Sequence, residues 1–529
     1  MKRFLSFLLT LALLAGTLSG CGRKIDNSGY IPTGDAIVME GQDPEDVMPT
    51  EEDTQELTLA YYPDRSLNPL FGSDYTNRVI MSLMYQGLFA VNNKKQVTPI
   101  LCGSYRVSAD TRTWVFYLES SATFSDGTHV TPQDVVSTFT QAKENDYYKG
   151  RFYHLHSMEI LEDGGIAFFM DTPYENLPLL LDVPIVKASE VTADIPLGTG
   201  PYTFAEGVGG ASLYRNPSWW CGGLKIPAVD QTITLVDVAS VADVRDEFQF
   251  GDVSVVCANP MSASFAEYRS DYELWEIESG YMLYLGCNVT WSKFFDDGTL
   301  RTFLTYALDR ESLAQEAYKG MVNTVTLPCS PSEVYYSDSL AKDYEYDSLK
   351  FMDKLRGYRI PQKDGGGNKE MKLLVNSDDS ARVMMARKIA ETLTDLGLPC
   401  ATLEYSGVGY KNALHANSFD IYLGMTRLSP TMDLTDFFRP YGEMGWGGLA
   451  NESLYGMTLK SLENSGSYYN LHKILADDGR VIPLMFGYYN VYAQRGLLPD
   501  LTPARDNVFY YSLGKSMKDI QQPTVYNNS

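Results

Sequence analysis

Apolar and polar residues alternate along Leu57-Thr58-Leu59-Ala60-Tyr61, which predicts a strand. Ile80, Leu83, Met84 and Leu88 then recur at helical spacing. Trp114-Val115-Phe116-Tyr117-Leu118 reads as a second strand. Thr131-Pro132-Gln133-Asp134 has the chemistry of a helix start: Thr as N-cap, Pro at the first position and an acid at the third, with Val135, Val136 and Phe139 as the buried face. Further on, Leu300, Phe303, Leu304, Ala307 and Leu308 predict one helix. Asp309 is placed to cap the next, which carries Leu313, Ala314 and Ala317 and stops at Gly320. Lys372–Val375 reads as a strand, Ser380–Leu396 as an amphipathic helix ending at Gly397, and Thr402–Tyr405 as a strand. That order is a βαβ unit, expected to be right-handed with parallel strands. The fold class is therefore α/β with added mixed sheet. No internal repeat interrupts it.

The beginning of the chain has a different pattern. Lys2 and Arg3 precede the apolar run Phe4–Leu14, the form of a secretory signal and too short for a comfortable membrane span. Leu18-Ser19-Gly20-Cys21 looks like a bacterial lipobox. It predicts a signal peptide over 1–20 and a diacylglycerol on Cys21, two acyl chains being enough for stable anchoring. Residues 21–56 hold ten acids, from Asp26 to Glu56, together with Pro32, Pro44 and Pro49, so a disordered linker is expected there. No later stretch is long and uncharged enough to span a bilayer. The expected location is outside the cytoplasm, on a lipid tether at the cell surface or the periplasmic side.

Composition narrows the function. The 529 residues carry 43 Lys+Arg against 67 Asp+Glu, a net charge of −24. Nucleic acid is excluded as a partner, because phosphate binding needs clustered Lys and Arg. Adhesion to anionic lipid through a basic face is excluded on the same ground. Hydrophobic residues are 44 %, which excludes a mostly disordered chain. At roughly 150 residues per domain the length fits three to four domain-sized units or two large lobes. Apart from Cys21 there are six Cys (102, 221, 257, 287, 329 and 400) with no C-x-x-C, so free buried thiols are expected.

Catalytic patterns are not found. His154 and His156, two apart, could share a strand face as a metal pair, or be a solvated pair. There is no H-E-x-x-H, no G-x-S-x-G and no phosphate loop. Asp364-Gly365-Gly366-Gly367-Asn368 precedes a strand rather than a helix, so it reads as a turn. The expectation is a protein that is not an enzyme, with no catalytic residues, no cofactor and no metal.

Several stretches resemble one family. Phe124–Phe139 follows F-x-D-G-x-x-hydrophobic-T-x-x-D-V-x-x-[ST]-F position by position. Ser66-Leu67-Asn68-Pro69, Tyr85-Gln86-Gly87-Leu88, Gly198-Thr199-Gly200-Pro201-Tyr202 and Arg215-Asn216-Pro217 followed by Trp219-Trp220 resemble further motifs of that family. So do Asn288, Phe294, Asp297, Arg301 and the run Ala307-Leu308-Asp309-Arg310, although Phe294 lacks the family's preceding Pro. These are motifs of the family 5 extracellular solute-binding proteins of ABC importers, which include oligopeptide-, dipeptide- and nickel-binding proteins. The resemblance implies a two-lobed periplasmic-binding-protein fold (type II, cluster C) with an extra subdomain inserted in the first lobe. By analogy the first lobe runs over 57–280 with its subdomain at about 75–190, the second lobe over 281–487, and 488–529 returns to the first.

The same resemblance implies non-covalent capture of a solute between the lobes, a peptide by default, and delivery by a monomer to ABC permease subunits. The expected site residues depart from the peptide binders. Those read roughly W-x-x-D-x-x-[DE]-P-x-x-F, the first Asp anchoring the peptide ammonium. Aligned on Phe437, this chain has Arg427 at the Trp, Pro430 at that Asp and Asp433 at the second acid. An Arg fork prefers carboxylate or phosphate, so Arg427 is expected to face the cleft and read an anionic group. A one-turn shift would bring Asp433 or Asp436 into the ammonium role. Trp446, Tyr488 and Tyr489 are the aromatic candidates. The Pro430 exchange leaves open a nickel chelate, an opine, a sugar or another small anion. A surface hydrolase using paired carboxylates, or a sensor or adhesin that kept the fold, are the rivals outside transport.

Overall fold

The computed structural model describes residues 56–72, 74–221, 232–498 and 501–509, and the backbone of the strand Val525–Asn527. The expected signal peptide, Cys21 and the acidic segment up to Gln55 lie outside the described residues.

Two long antiparallel strands, Tyr272–Cys287 and Val481–Gln494, run through the centre of an 11-stranded mixed sheet. Outward from Val481–Gln494 come Val255–Ala258, Thr58–Tyr61, Thr232–Asp237, Gly210–Arg215 and Tyr202–Gly207. Outward from Tyr272–Cys287 come Ile421–Arg427, Met371–Asn376 and Cys400–Tyr405. The predicted βαβ unit is present: Met371–Asn376 and Cys400–Tyr405 are parallel and joined by the helix Ser380–Asp395. Asp379 caps that helix by accepting from the Arg382 N–H at 3.0 Å.

The long strands change cores along their length. Ile277, Tyr489 and Val491 belong to the core built on Leu59, Ile80, Phe139 and Leu213. Leu283, Leu285 and Met485 belong to a second core with Leu304, Leu373, Ile389 and Leu423. The register shifts between Glu278 and Met282, where Gly280 has φ +81°. The ladder thus continues while the buried face passes from one lobe to the other.

An additional antiparallel set, Cys102–Val107, Thr113–Leu118, Ile166–Met170 and Leu155–Ile160, forms the extra subdomain, with Val525–Asn527 parallel to its edge. The helix Pro132–Glu144 packs on it through Phe139, whose ring lies edge-on to Phe168 at 5.2 Å and Phe152 at 5.4 Å.

The motifs are scaffold chemistry. The Thr131 backbone N–H donates to the Asp134 carboxylate at 2.8 Å, and the other Asp134 oxygen accepts from the Ala188 N–H at 2.7 Å. Asp134 thereby ties the helix start to a distant loop. Gly200 touches the end of the helix Tyr75–Met84: a Cβ there would lie 2.4 Å from the Met84 carbonyl carbon and 2.5 Å from the Leu83 oxygen.

One expected element differs. Residues Leu300–Leu308 form two short 3₁₀ turns, Leu300–Thr302 and Leu304–Ala307, instead of one helix. The Arg310 guanidinium donates to the Thr305 and Leu308 carbonyls, and the Thr305 carbonyl also accepts the Leu308 N–H of the second turn. Asp309 does cap the following helix, Arg310–Tyr318, through the Ser312 N–H at 3.1 Å. Leu88 lies beyond the helix that ends at Met84 and is still fully buried. The six described Cys are free thiols, five of them buried. Among the described residues no helix is long and apolar enough to cross a membrane.

Because backbone rather than a movable side chain meets residue 200, Gly200→Ala is expected to destabilise the protein by about 1–3 kcal/mol, seen as a lower midpoint in urea denaturation with the slope unchanged.

Candidate functional site

A cavity of about 240 Å³ lies between the subdomain segment Asp146–Tyr153 and the second-lobe segment Met425–Ser429, with Tyr281, Glu443, Met444 and Arg505 completing its wall. Arg427 ends its strand there. Its Nε donates to the Ser279 carbonyl at 3.1 Å; Nη2 donates to Tyr147 Oη at 3.0 Å and to Asp506 at 2.8 Å. Its guanidinium sits 4.0 Å from the Tyr147 ring centre.

Asp506 collects charge from both lobes. Tyr147 Oη and Arg151 Nη2 donate to it besides Arg427, and the other fork of Arg151 goes to Asp182. Burial pushes the Asp506 carboxyl up, but the Arg427, Arg151 and Arg505 charges prevail and hold it well below the usual range. Asp182 goes the other way: burial raises its pKa, Arg151 opposes and the Asp506 charge adds to the rise.

A second contact lies just beyond these two segments. His154 Nε2 lies 3.1 Å from Asp433 Oδ2 and 2.9 Å from Thr435 Oγ1, with both His154 and Thr435 buried. Asp433 also accepts from the Thr435 N–H at 2.8 Å. Beside it, Tyr174 Oη and Thr431 Oγ1 are 2.7 Å apart. Lys95 makes a third bridge, 3.2 Å from Glu278 and 3.0 Å from Glu333.

The six residues expected at the ligand are dispersed. Arg427 and Tyr489 meet at the crossing strands: Tyr489 is buried, its Oη 3.1 Å from Tyr75 Oη, and that hydroxyl is 3.4 Å from Tyr281 Oη at the cavity wall. Asp433 is engaged by His154. Asp436 organises the loop after its own helical turn, accepting from Arg439 Nε at 2.8 Å and from the Glu443 and Met444 N–H groups at 3.1 Å each. Trp446 is partly buried against the core of Tyr284 and Phe437 and lies edge-on to the exposed His415 at 4.7 Å. Tyr488 is half-buried, its pKa pushed up to about 12 by burial and then by Glu276 and Glu278.

His154 and His156 do not act as a pair. His156 is exposed and bonds Asp171 at 2.9 Å, whereas His154 is enclosed by Asp433. His472 is a core residue with neither ring nitrogen bonded among the described residues, and burial pushes its pKa down to about 4.

Sequence reasoning missed Tyr147, Arg151, His154, Arg505 and Asp506. The run Tyr147-Tyr148-Lys149-Gly150-Arg151-Phe152-Tyr153-His154, basic and aromatic within an acidic chain, was a usable signal for three of them. Arg505 and Asp506 sit in a short charged stretch with no such mark.

The architecture is that of the periplasmic-binding-protein class, two lobes joined by paired strands with an antiparallel subdomain added. The chain matches the model of bacterial extracellular solute-binding proteins, family 5, over residues 96–447, more than half its length, and belongs to that family. It is 25 % identical over 311 residues to the glutathione-binding protein GsiB of Escherichia coli, covering 56 % of this chain and 60 % of that relative, so the alignment spans under two thirds of the relative's length. Its fold resembles the substrate-binding protein CtaP of Listeria monocytogenes, with TM-score 0.68, 18 % identity, and 86 % and 97 % of the two chains covered. It also resembles the oligopeptide-binding protein AppA of Bacillus subtilis, solved in complex with a nonapeptide, with TM-score 0.61, 20 % identity, and 87 % and 98 % covered.

The His154–Asp433 clasp predicts a pH dependence. Burial lowers the His154 pKa, but Asp433 outweighs it and the net is upward. For Asp433 burial raises the pKa, His154 outweighs it and the net is downward. The histidine's contribution is therefore full below its unfolded value of about 6.5 and lost as pH rises through the folded value; the aspartate's is full above about 3.9 and lost as pH falls through its lowered value. His154→Gln is expected to cost about 1.5–3 kcal/mol at pH 5.5 and less at pH 8.5, measured by urea denaturation of both proteins at each pH.

Proposed function

We propose that this chain is the extracytoplasmic solute-binding component of an ABC importer, anchored by a lipid on Cys21, and that it captures a small solute, a short peptide foremost, between its two lobes. In this reading the first lobe comprises 57–280 and the return segment 488–529, and the second lobe 281–487. The observation that carries it is the cavity between the lobes, lined from one side by Tyr147 and Arg151 and from the other by Arg427. Its 240 Å³ lies just below the 300–1,000 Å³ typical of ligand pockets, which suits a small solute. Membership of a solute-binding family and the likeness to a glutathione-binding relative support peptide-like ligands.

The wall is cationic and aromatic, suited to a carboxylate on an otherwise neutral solute. Arg427 and Tyr489 act at or beside the ligand, Tyr488 lies one residue from that strip, and Asp433 acts through the clasp. Asp436 and Trp446 shape the loop that ends at the cavity wall. Opening would break the Arg427–Asp506, His154–Asp433 and Lys95–Glu333 contacts, and closing would restore them around the solute. Such hinge closure is how a permease could distinguish loaded from empty protein.

A thermal-shift screen of protein stripped of co-purified solute tests this, using mixed di- to pentapeptides, glutathione, nickel with and without chelators, and small carboxylates. A ligand at about 100 times its Kd adds roughly 2.7 kcal/mol, a readable upward shift. Peptides are expected to give it; a shift with non-peptide anions alone would replace the peptide by such a solute, and turnover of any of them would overturn the binding role. For the anchor, labelled fatty acid is expected to enter the wild-type chain in its host and not Cys21→Ser, which should be released from the membrane fraction.

A further inference from the structure

Three guanidinium groups face the cleft, and they are not equally occupied. Arg427 is committed to Ser279, Tyr147 and Asp506. Arg151 is divided between Asp182 and Asp506. Among the described residues Arg505 donates only through Nη2, to the Leu428 carbonyl; its Nε and Nη1 are buried and make no hydrogen bond there. Nη1 carries two N–H bonds and Nε one, so three of the five donors have no acceptor. Only 9 % of the side chain is exposed, and it forms part of the cavity wall.

The neighbouring acids do not fill this need. Asp506 Oδ2 stands 4.0 Å from Arg505 Nε, beyond hydrogen-bond reach, and already accepts from Arg151. Glu278 and Glu333 act on Arg505 through space, but their ion pairs are with Lys95. Charge is therefore balanced at a distance while hydrogen-bonding capacity is not. A buried charged donor without an acceptor is costly, and an incoming oxyanion would relieve it.

The backbone makes room for this side chain. A Cβ at Gly280 would lie 2.1 Å from Arg505 Nη2 and 2.4 Å from Cζ. The guanidinium therefore rests against bare backbone at the register shift of the long strands, between the lobes.

We propose that Arg505 is a specificity-determining residue of this cleft, taking a carboxylate of the solute on its unpartnered N–H groups, and that Gly280 is the positioning residue that admits its guanidinium. This rests on the solute-binding reading above. It gives Arg427 a different part: its donors hold Asp506 across the lobes, and the solute is read next to it.

The probe is a tripeptide library with free C-termini and the same library amidated, with binding to the full chain followed by thermal shift and by competition. Wild type is expected to bind the free acids about 10- to 100-fold more tightly than the amides, the worth of a charge-assisted contact. Arg505→Gln should bind both libraries at the amide's level, with its ligand-free midpoint setting the baseline, and Arg505→Lys should restore part of the preference. Gly280→Ala should lose the preference as well; if that variant does not fold, Arg505→Gln decides. An acid preference unchanged in Arg505→Gln, or wild type binding acids and amides equally, overturns this assignment while leaving the solute-binding reading standing. Binding of neither library by wild type overturns the peptide reading and this assignment with it.

Discussion

One constraint organises the molecule: two lobes with separate cores share a single pair of hydrogen-bonded strands. A strand pair running through a sheet has no freedom to stop, because each buried N–H and C=O needs a partner. Tyr272–Cys287 and Val481–Gln494 therefore keep their ladder and shift register twice, between Glu278 and Met282 and again between Leu283 and Tyr284. On one side of the first shift Ile277 and Tyr489 enter the first core; on the other, Leu283 and Met485 enter the second. Gly280 at φ +81° supplies the backbone conformation that the shift requires and that a residue with a Cβ would resist. The same missing Cβ gives Arg505 its place, so one glycine serves both the crossing and the cleft.

Around that crossing the chain withdraws charge from water, and each withdrawn charge constrains its neighbours. Asp506 is buried among Arg151, Arg427 and the Tyr147 hydroxyl, donors contributed by segments hundreds of residues apart in sequence. Removing one member of such a cluster typically costs about 3–5 kcal/mol, since the remaining charge is left without its partner. The cluster therefore says less about total stability than about which closed arrangement is permitted. His154 with Asp433, and Lys95 with Glu278 and Glu333, apply the same rule at two other points. Apolar packing joins the two sides as well: Leu462 is buried in the core of Leu59 and Ile80, and Met261 in that of Leu283 and Met485.

Much of the fold was legible along the chain. The Asp134 capping arrangement, the Asp309 cap and the strand–helix–strand unit ending at Tyr405 are local events, set by residues within a few positions of one another. The two 3₁₀ turns at Leu300–Ala307 were not legible: the second lies against the Arg310 guanidinium, which is itself held by the Pro483 carbonyl, 173 residues away. The cleft divided in the same way. Arg427 stood out by its exchange with a family aromatic, but the acid that occupies its guanidinium, Asp506, belongs to the chain itself and lies 79 residues away. Asp433 stood out as an acid, but its partner His154 lies 279 residues away.

The sequence by itself determined the α/β class of fold, the helix starts after Thr131 and Asp309 and the strand–helix–strand unit ending at Tyr405, since those follow from periodicity, capping and residue type over short spans. Only the tertiary structure decided which arginine is satisfied and which is not. Arg151, Arg427 and Arg505 are equivalent as letters. Their difference arises from the number of acceptors within about 3 Å of each guanidinium. That number depends on how segments distant in sequence are brought together at the crossing of two strands, information that no local pattern carries.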